Sequence, residues 1–220
     1  MAYIDFISDL HKSTKRDYIG RVNSADKAEC AVVAKQYSYD YWDGDRKYGY
    51  GGYHYDGRWR IVAEKMAKHY GLTEESRILD VGCGMAHLLY EFTQVVPGVT
   101  VQGLDISEYA IQHAKEEVRD QLILGKAQEL PFEDNSFDLV ISLTTLHNLK
   151  VFDLKKAVRE IERVSKRNSY IVVESFRNDR EEMNLLYWQL TCASYYAVDE
   201  WEWLYNEWGY TGDWGFIFFE

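Results

Sequence analysis

The chain has 220 residues, 46% hydrophobic and 28% charged, which suits one globular α/β unit with a full core. A formal net charge of −11 argues against a nucleic-acid polymer as partner, because that affinity comes from neutralising phosphates. No run approaches a membrane span, Met1–Asp5 lacks a signal peptide's basic start, and Cys30, Cys83 and Cys192 share no close spacing.

These features set the expectation of a cytoplasmic, reducing setting, no membrane partner, no disulfide framework and no metal site. The charge is uneven. Through Tyr70 twelve Lys/Arg face ten Asp/Glu, and from Gly71 thirteen face twenty-six. An anionic ligand is therefore expected against the first third.

Residues from Tyr3 to Tyr37 read as helix with polar interruptions, firmest where Ala28, Ala31, Val32 and Lys35 share a face. The composition then changes. From Tyr39 to Arg60 tyrosines and arginines alternate with the Gly and Asp of turns. Two readings fit: an ordered loop whose rings pack on the main body, or a substrate-binding lid bringing Arg46, Lys47, Arg58 or Arg60 to an anion.

Arg58 to Tyr70 is the next predicted helix, with Ile61, Val62, Lys65, Met66 and His69 at helical spacing and Gly71 as its stop. Strands are predicted at Ile78–Val81, Thr100–Asp105, Leu122–Leu124, Phe137–Ser142 and Tyr170–Glu174, with helices at Ala86–Val95, Glu108–Val118 and Asp153–Lys166 between them. Helices around Glu181–Thr191 and Asp199–Trp208 follow, and Gly209–Tyr210 and Phe216–Phe219 offer two final strands. Strands alternating with helices imply parallel pairing through right-handed crossovers, hence a doubly wound, Rossmann-like α/β sheet of seven strands. Residues 1–60 form an N-terminal helical and lid segment in this reading and 61–220 the main domain, in one compact unit.

Ligands of such a sheet bind beyond the carboxyl ends of its strands, near the point where strand order reverses. Asp80-Val81-Gly82-Cys83-Gly84 leaves the first strand there, with glycines where a ligand must approach backbone. Asp105 ends the second strand, where a carboxylate can accept from two ribose hydroxyls. Its alternative role is to open the next helix, which Ser107 already suits.

Asp80–Gly84, Gly103-Leu104-Asp105-Ile106-Ser107, Ala127-Gln128-Glu129-Leu130-Pro131-Phe132 and Ser136-Phe137-Asp138-Leu139-Val140-Ile141 resemble the successive motifs of class I S-adenosylmethionine-dependent methyltransferases, in order and spacing. The resemblance implies S-adenosylmethionine as cofactor. It assigns Asp80, Gly82, Cys83 and Gly84 to the methionine end and Asp105 to the ribose. Ile106, Ala127 and Gln128 fall at the adenine, and Leu143 in the sulfonium pocket. Two departures stand out: Ala86 replaces a frequent third glycine, with little consequence expected, and Lys126 replaces an acidic partner of the adenine amino group.

The His11–Tyr18, Tyr41–Arg46, Tyr50–Tyr53 and Gly57–Trp59 stretches, with Leu146–Leu149 later, are similar to bacterial methyltransferases of surface-polysaccharide biosynthesis, including those of capsular O-methyl phosphoramidate formation. That resemblance implies a small, anionic or nucleotide-linked acceptor and O-methylation; separately, a monomer or homodimer is expected. His147, just past the fourth strand, is the candidate general base; its alternative is to orient substrate or cap a turn. Arg46, Tyr50, His54 and Arg58 are the other candidate substrate contacts. His87 and His113 are expected to be surface or helix-packing residues. Two rival readings stay open, a methyltransferase of RNA or protein and a non-catalytic cofactor-binding module.

Overall fold

The computed structural model describes residues 1–12 and 16–220; Ser13, Thr14 and Lys15, three positions of the His11–Tyr18 motif, lie outside the described residues. Strand β1 (Arg77–Val81) occupies the centre of the sheet. On one side of it lie β2 (Thr100–Asp105) and β3 (Leu122–Leu124), and on the other β4 (Phe137–Leu143), β5 (Ser165–Glu174) and β6 (Asp213–Ile217). Every pairing is parallel, in the order β3-β2-β1-β4-β5-β6. The order reverses between β1 and β4, so the splayed carboxyl ends of these two strands open a cleft.

Alternation along β1 and β4 feeds two cores. Ile78 and Ile141 join Val62, Met66, Leu89 and Phe92 on one face, while Leu79, Val81 and Val140 join Leu154, Ile161 and Trp201 on the other. The first face is covered by α5 (Arg60–Tyr70) and α6 (His87–Val95), and the second by α9 (Val151–Val164) and α11 (Val198–Trp208). Each such side chain, wholly buried, stabilises the fold by roughly 1.5–3 kcal/mol of transfer free energy. Of the C-terminal tryptophans, Trp201, Trp208 and Trp214 are core and Trp203 is exposed.

Six strands form among the described residues, where seven were expected. Gly209 is the reason: at φ 74° it caps α11 rather than starting a strand. Beyond β6 a single parallel bridge from Tyr3 to Trp214 continues the edge, with Ile4 N–H donating to the Trp214 carbonyl at 2.8 Å. The predicted helix from Glu108 to Val118 is broken into α7 (Glu108–Gln112) and α8 (Glu116–Arg119), because Lys115 N–H turns to the Met85 carbonyl. In α5 the buried face is Val62, Ala63, Met66 and Ala67, and Ile61 is exposed.

The N-terminal third forms α1 (Ser8–Lys12), α2 (Tyr18–Asn23), α3 (Lys27–Ala34) and α4 (Tyr39–Trp42). In α3 the buried residues are Cys30 and Ala34, not the expected face of Ala28, Ala31, Val32 and Lys35; Val32 and Lys35 are exposed. Its eight residues, five of them Ala or Val spread round the helix, carry too little contrast between faces to fix the rotation. The remaining helix, α10 (Asp179–Trp188), packs against α2 and closes the roof over the cleft. No helix of the described residues is long and apolar enough to cross a membrane.

Candidate active site

The floor of the cleft is the turn after β1. Gly82 has φ 87° and Gly84 φ 53°, a region that L side chains enter at a cost. Space is denied as well. A Cβ on Gly82 would lie 2.1 Å from Thr145 Oγ1, and one on Gly84 2.9 Å from the Trp42 ring. Ala86 stands in the same left-handed region at φ 57° while opening α6, so the missing third glycine leaves local strain here rather than no trace.

Asp105 braces this turn from the end of β2. Gly84 N–H donates to its Oδ2 at 2.7 Å and Ser107 N–H to its Oδ1 at 2.8 Å, leaving the outer lone pairs toward the cleft. Burial raises its pKa, and the donors from Ser107, Gly84 and Ile106 pull it back down. Asp80 has no such support: its Oδ1 is buried with no hydrogen-bond partner among the described residues. Burial, then the Asp105 charge, pushes it up to about 8. A buried carboxylate oxygen without a donor suits a ligand that carries one, such as an ammonium group.

The roof comes from the tyrosine-rich segment. Trp42 Nε1–H donates to Ser107 Oγ at 2.9 Å, and Ser107 Oγ–H donates to the Tyr37 carbonyl at 2.6 Å. Ser107 thus caps α7 through Ala110 N–H and anchors the roof with one hydroxyl. Asp43 accepts from Tyr109 Oη–H and Tyr53 N–H, and Tyr55 donates to Glu91 at 2.6 Å. Tyr50 stacks on Trp42 at 5.4 Å, and Tyr53 on His87 at 4.9 Å. The packing reading of this segment holds, and in packing the rings enclose space.

That space is two cavities. The first, about 400 Å³, lies between the glycine turn, the β2 and β4 ends and the roof. Asp80, Gly82, Cys83, Gly84, Asp105, Ile106, Ala127, Gln128 and Leu143, the nine candidate cofactor residues, all line it. Its volume falls in the range of cofactor pockets. Burial and the two neighbouring carboxylates raise the Cys83 thiol well above its usual pKa, so it lines the wall without being a nucleophile.

The second cavity, about 490 Å³, shares Tyr41, Tyr50, Tyr53, His87, Thr144 and Thr191 with the first. It is rich in cations. Arg16, Arg21 and Arg46 gather on Trp188, 4.8–5.5 Å from its ring centre. Arg21 donates to the Trp188 and Arg46 carbonyls, and Arg46 to that of Gly49; neutral carbonyls take up the donors without cancelling the charge. Burial, then the Arg46 charge, lowers the Arg21 pKa. Arg58 also borders this cavity but is held by Asp56 at 2.5 Å, and exposed His54 lies at the rim. Arg60 pairs with Glu64 outside both cavities.

His147 lies elsewhere than expected. It is 2% exposed and lines neither cavity. Burial lowers its pKa to about 3, so its ring is neutral. Glu174 N–H donates to Nδ1 at 3.4 Å, which puts the ring proton on Nε2, 3.4 Å from Glu174 Oε2. Its reach toward the cleft ends at Glu174, the residue that does line the second cavity. The position after β4 was legible; the turn of the short 3₁₀ segment Leu146–Asn148, which aims the ring at β5, was not.

Glu174, Thr144 and Arg21 were not among the expected site residues, and His87, expected at the surface or in helix packing, stands at the cleft instead. His87 is buried, borders both cavities, and has its pKa lowered to about 4, chiefly by burial. Thr144 forms part of the partition at φ 55°, its N–H tied to the Val172 carbonyl at 2.9 Å. A histidine at the first position of a helix that begins beneath a glycine turn was the signal available for His87.

A family model described as "Methyltransferase domain" matches residues 72–209. The demethylmenaquinone methyltransferase of Staphylococcus aureus is 33% identical over 118 residues, covering 51% of this chain and 48% of that protein. The chain thus spans about half the length of the curated relatives it matches. Among solved structures, the YcgJ protein of Bacillus subtilis superimposes with TM-score 0.54 at 23% identity over 66% of each chain. A candidate methyltransferase of Bacillus halodurans does so with TM-score 0.55 at 20% identity, over 67% of this chain and 68% of that one. These two likenesses carry the fold alone. With the family match across the glycine turn, the β2 carboxylate and the strands that frame the cleft, the chain belongs to the methyltransferase-domain family, in its class I, S-adenosylmethionine-dependent branch.

Proposed function

We propose that the first cavity holds S-adenosylmethionine and that the methyl group passes through the shared partition to an oxygen of a small anionic metabolite in the second. The observation that carries this reading is the adjoining pair of cavities, one built on the family's glycine turn and the other lined by Arg16, Arg21, Arg46 and Arg58. Asp80 would take the ammonium of the cofactor, Asp105 the ribose hydroxyls, Ile106, Ala127 and Gln128 the adenine, and Gly82, Cys83, Gly84 and Leu143 the methionine arm. The bound cofactor supplies a methyl already activated by a sulfonium charge. The chain's own contribution is alignment and exclusion of water, by Tyr50, Tyr53 and Trp42 above and Thr144 beside the path.

Arginine forks suit phosphate or carboxylate, and Tyr41, Tyr50 and Trp188 offer faces to a base or sugar. A phosphoramidate-bearing precursor of capsule or surface polysaccharide is one member of that class, suggested by the N-terminal motifs. A second reading, a ring acceptor as in the demethylmenaquinone methyltransferase relative, draws on the same aromatic wall. Calorimetry separates the layers. S-adenosylhomocysteine should bind stoichiometrically, and pyrophosphate should then bind the loaded protein. Absence of the first would sink the cofactor assignment; its presence without the second would favour the ring acceptor.

A further inference from the structure

At the carboxyl end of β5 a carboxylate faces the second cavity from behind the acceptor space. Glu174 is 5% exposed, and its Oε2 has no hydrogen-bond partner among the described residues. Its Oε1 accepts from Gln189 Nε2–H, and His147 Nε2 stands 3.4 Å from Oε2 without closing a hydrogen bond on it. One oxygen held by Gln189 and the other left without a donor, in a residue that lines the cavity, describe a carboxylate with acceptor capacity to spare. A structural ion pair would instead close both oxygens on a cation.

We propose that Glu174 accepts the proton of the incoming nucleophile, with His147 and Gln189 as the residues that position it. The inference rests on the two-cavity reading above and deepens it. The methylated atom then carries a proton in the bound state, as a hydroxyl does, and is distinct from the anionic group gripped by the arginines. In the step, an oxygen lone pair forms the new C–O bond as the C–S bond breaks and leaves its pair on sulfur. The O–H pair stays on oxygen, and the proton passes to Glu174 Oε2. His147 remains neutral throughout, and no further reactant is needed.

The charge environment supports this assignment. Burial raises Glu174 to about 8, and the Arg16 charge pulls it back. The other titratable groups facing it are His147 on the segment after β4, Tyr41 and Tyr50 on the roof, and Cys192 and Tyr195 after α10. Each of those five is neutral at pH 7.5: burial holds the histidine unprotonated and the phenols and the thiol protonated. A sulfonium across the partition is a new positive charge. At an effective dielectric near 20, a unit charge several Å away lowers a carboxyl pKa by about 1–2 units.

S-adenosylmethionine and S-adenosylhomocysteine differ only in that methyl and its charge, so Asp80 meets the same ammonium in both. Calorimetry at pH 7.5 in buffers of different ionisation enthalpy counts the protons each releases on binding. The wild type should release on the order of 0.5 proton more with S-adenosylmethionine, and Glu174→Gln should release the same number with both. Equal release by the wild type would overturn the proposal without any variant, as would a difference that survives in Glu174→Gln. Failure of both ligands to bind would instead strike the cofactor reading beneath it. His147→Gln should keep part of the difference and move it to another pH; an unshifted profile would remove His147 as a positioning residue.

Discussion

The floor and the roof of this cleft are built by different means. The floor, from Arg77 to Leu143, is backbone and short side chains: positive-φ glycines, an aspartate at a strand end and a parallel ladder on each side. Its contacts recur at short spacings, and Asp105 reaches Gly84 only 21 residues away. The roof, from Arg16 to Trp59, is long side chains reaching across the sequence, as when Arg21 donates to the carbonyl of Trp188, 167 residues on. A backbone site admits one ligand shape and tolerates little change. A site of long side chains can be retuned residue by residue, which suits the side that must choose an acceptor.

The contrast breaks first at the floor. Gly82→Ala sets a Cβ against Thr145 at a φ that alanine holds only under strain, and should cost about 3 kcal/mol or more and lower S-adenosylhomocysteine affinity over ~100-fold. Urea unfolding and calorimetry read the two effects, and near-wild-type values in both would mean that the turn is softer than its geometry. Trp42→Ala is the matching change in the roof. It should cost about 3 kcal/mol in docking energy, seen as faster amide exchange from Tyr37 to Tyr55 with the sheet still protected. Exchange rising equally across β1 and β4 would show that roof and floor unfold together.

Smaller effects sharpen the difference. Arg21→Ala should weaken pyrophosphate binding to the loaded protein by roughly 10-fold, about 1.4 kcal/mol, and leave S-adenosylhomocysteine affinity unchanged. Arg58→Ala should do less, because Asp56 already occupies that guanidinium. The reverse ranking would move the anion to the rim.

The smallest effect is a slope. Burial raises the folded-state pKa of Asp80, so its contribution to stability is fully present below the unfolded value near 3.8 and is lost as pH rises through about 8. Buried His87 and His147, with lowered pKa values, act in the opposite sense and only below about pH 6.5. Between pH 6.5 and 8, then, Asp80→Asn should flatten the decline of the apo protein's stability by at most about 1.4 kcal/mol per pH unit. Thermal melts at both pH values measure it, and an unchanged decline would place the titration elsewhere.

The same contrast explains what could be read without coordinates. That Asp80, Gly82, Gly84 and Asp105 would line one cavity was legible because a tight turn at a strand end leaves few residues to choose from. Arg46, Tyr50, His54 and Arg58 were legible as a region, since the change in composition sets that segment apart, and all four line the second cavity. Their division of labour was not: Arg58 is spent on Asp56 and Arg21 is the more open cation, which depends on how α2 meets α10. His147 was misread for a related reason. Its position in the chain puts it at the right end of the sheet, but the ring's direction comes from a three-residue turn whose geometry no spacing reveals.

Thr144 has a consequence of its own. A β-branched residue at φ 55° holds a conformation that glycine would adopt freely, and the hydrogen bond from its N–H to Val172 keeps it there. Its side chain forms part of the boundary between the two cavities, so the sequence accepts local instability to keep a wall where glycine would leave a gap. Selection for robustness alone would erode that wall. A thermostabilised descendant carrying glycine at 144 would be expected to gain melting temperature while letting water reach the activated methyl, and it would waste cofactor by hydrolysis.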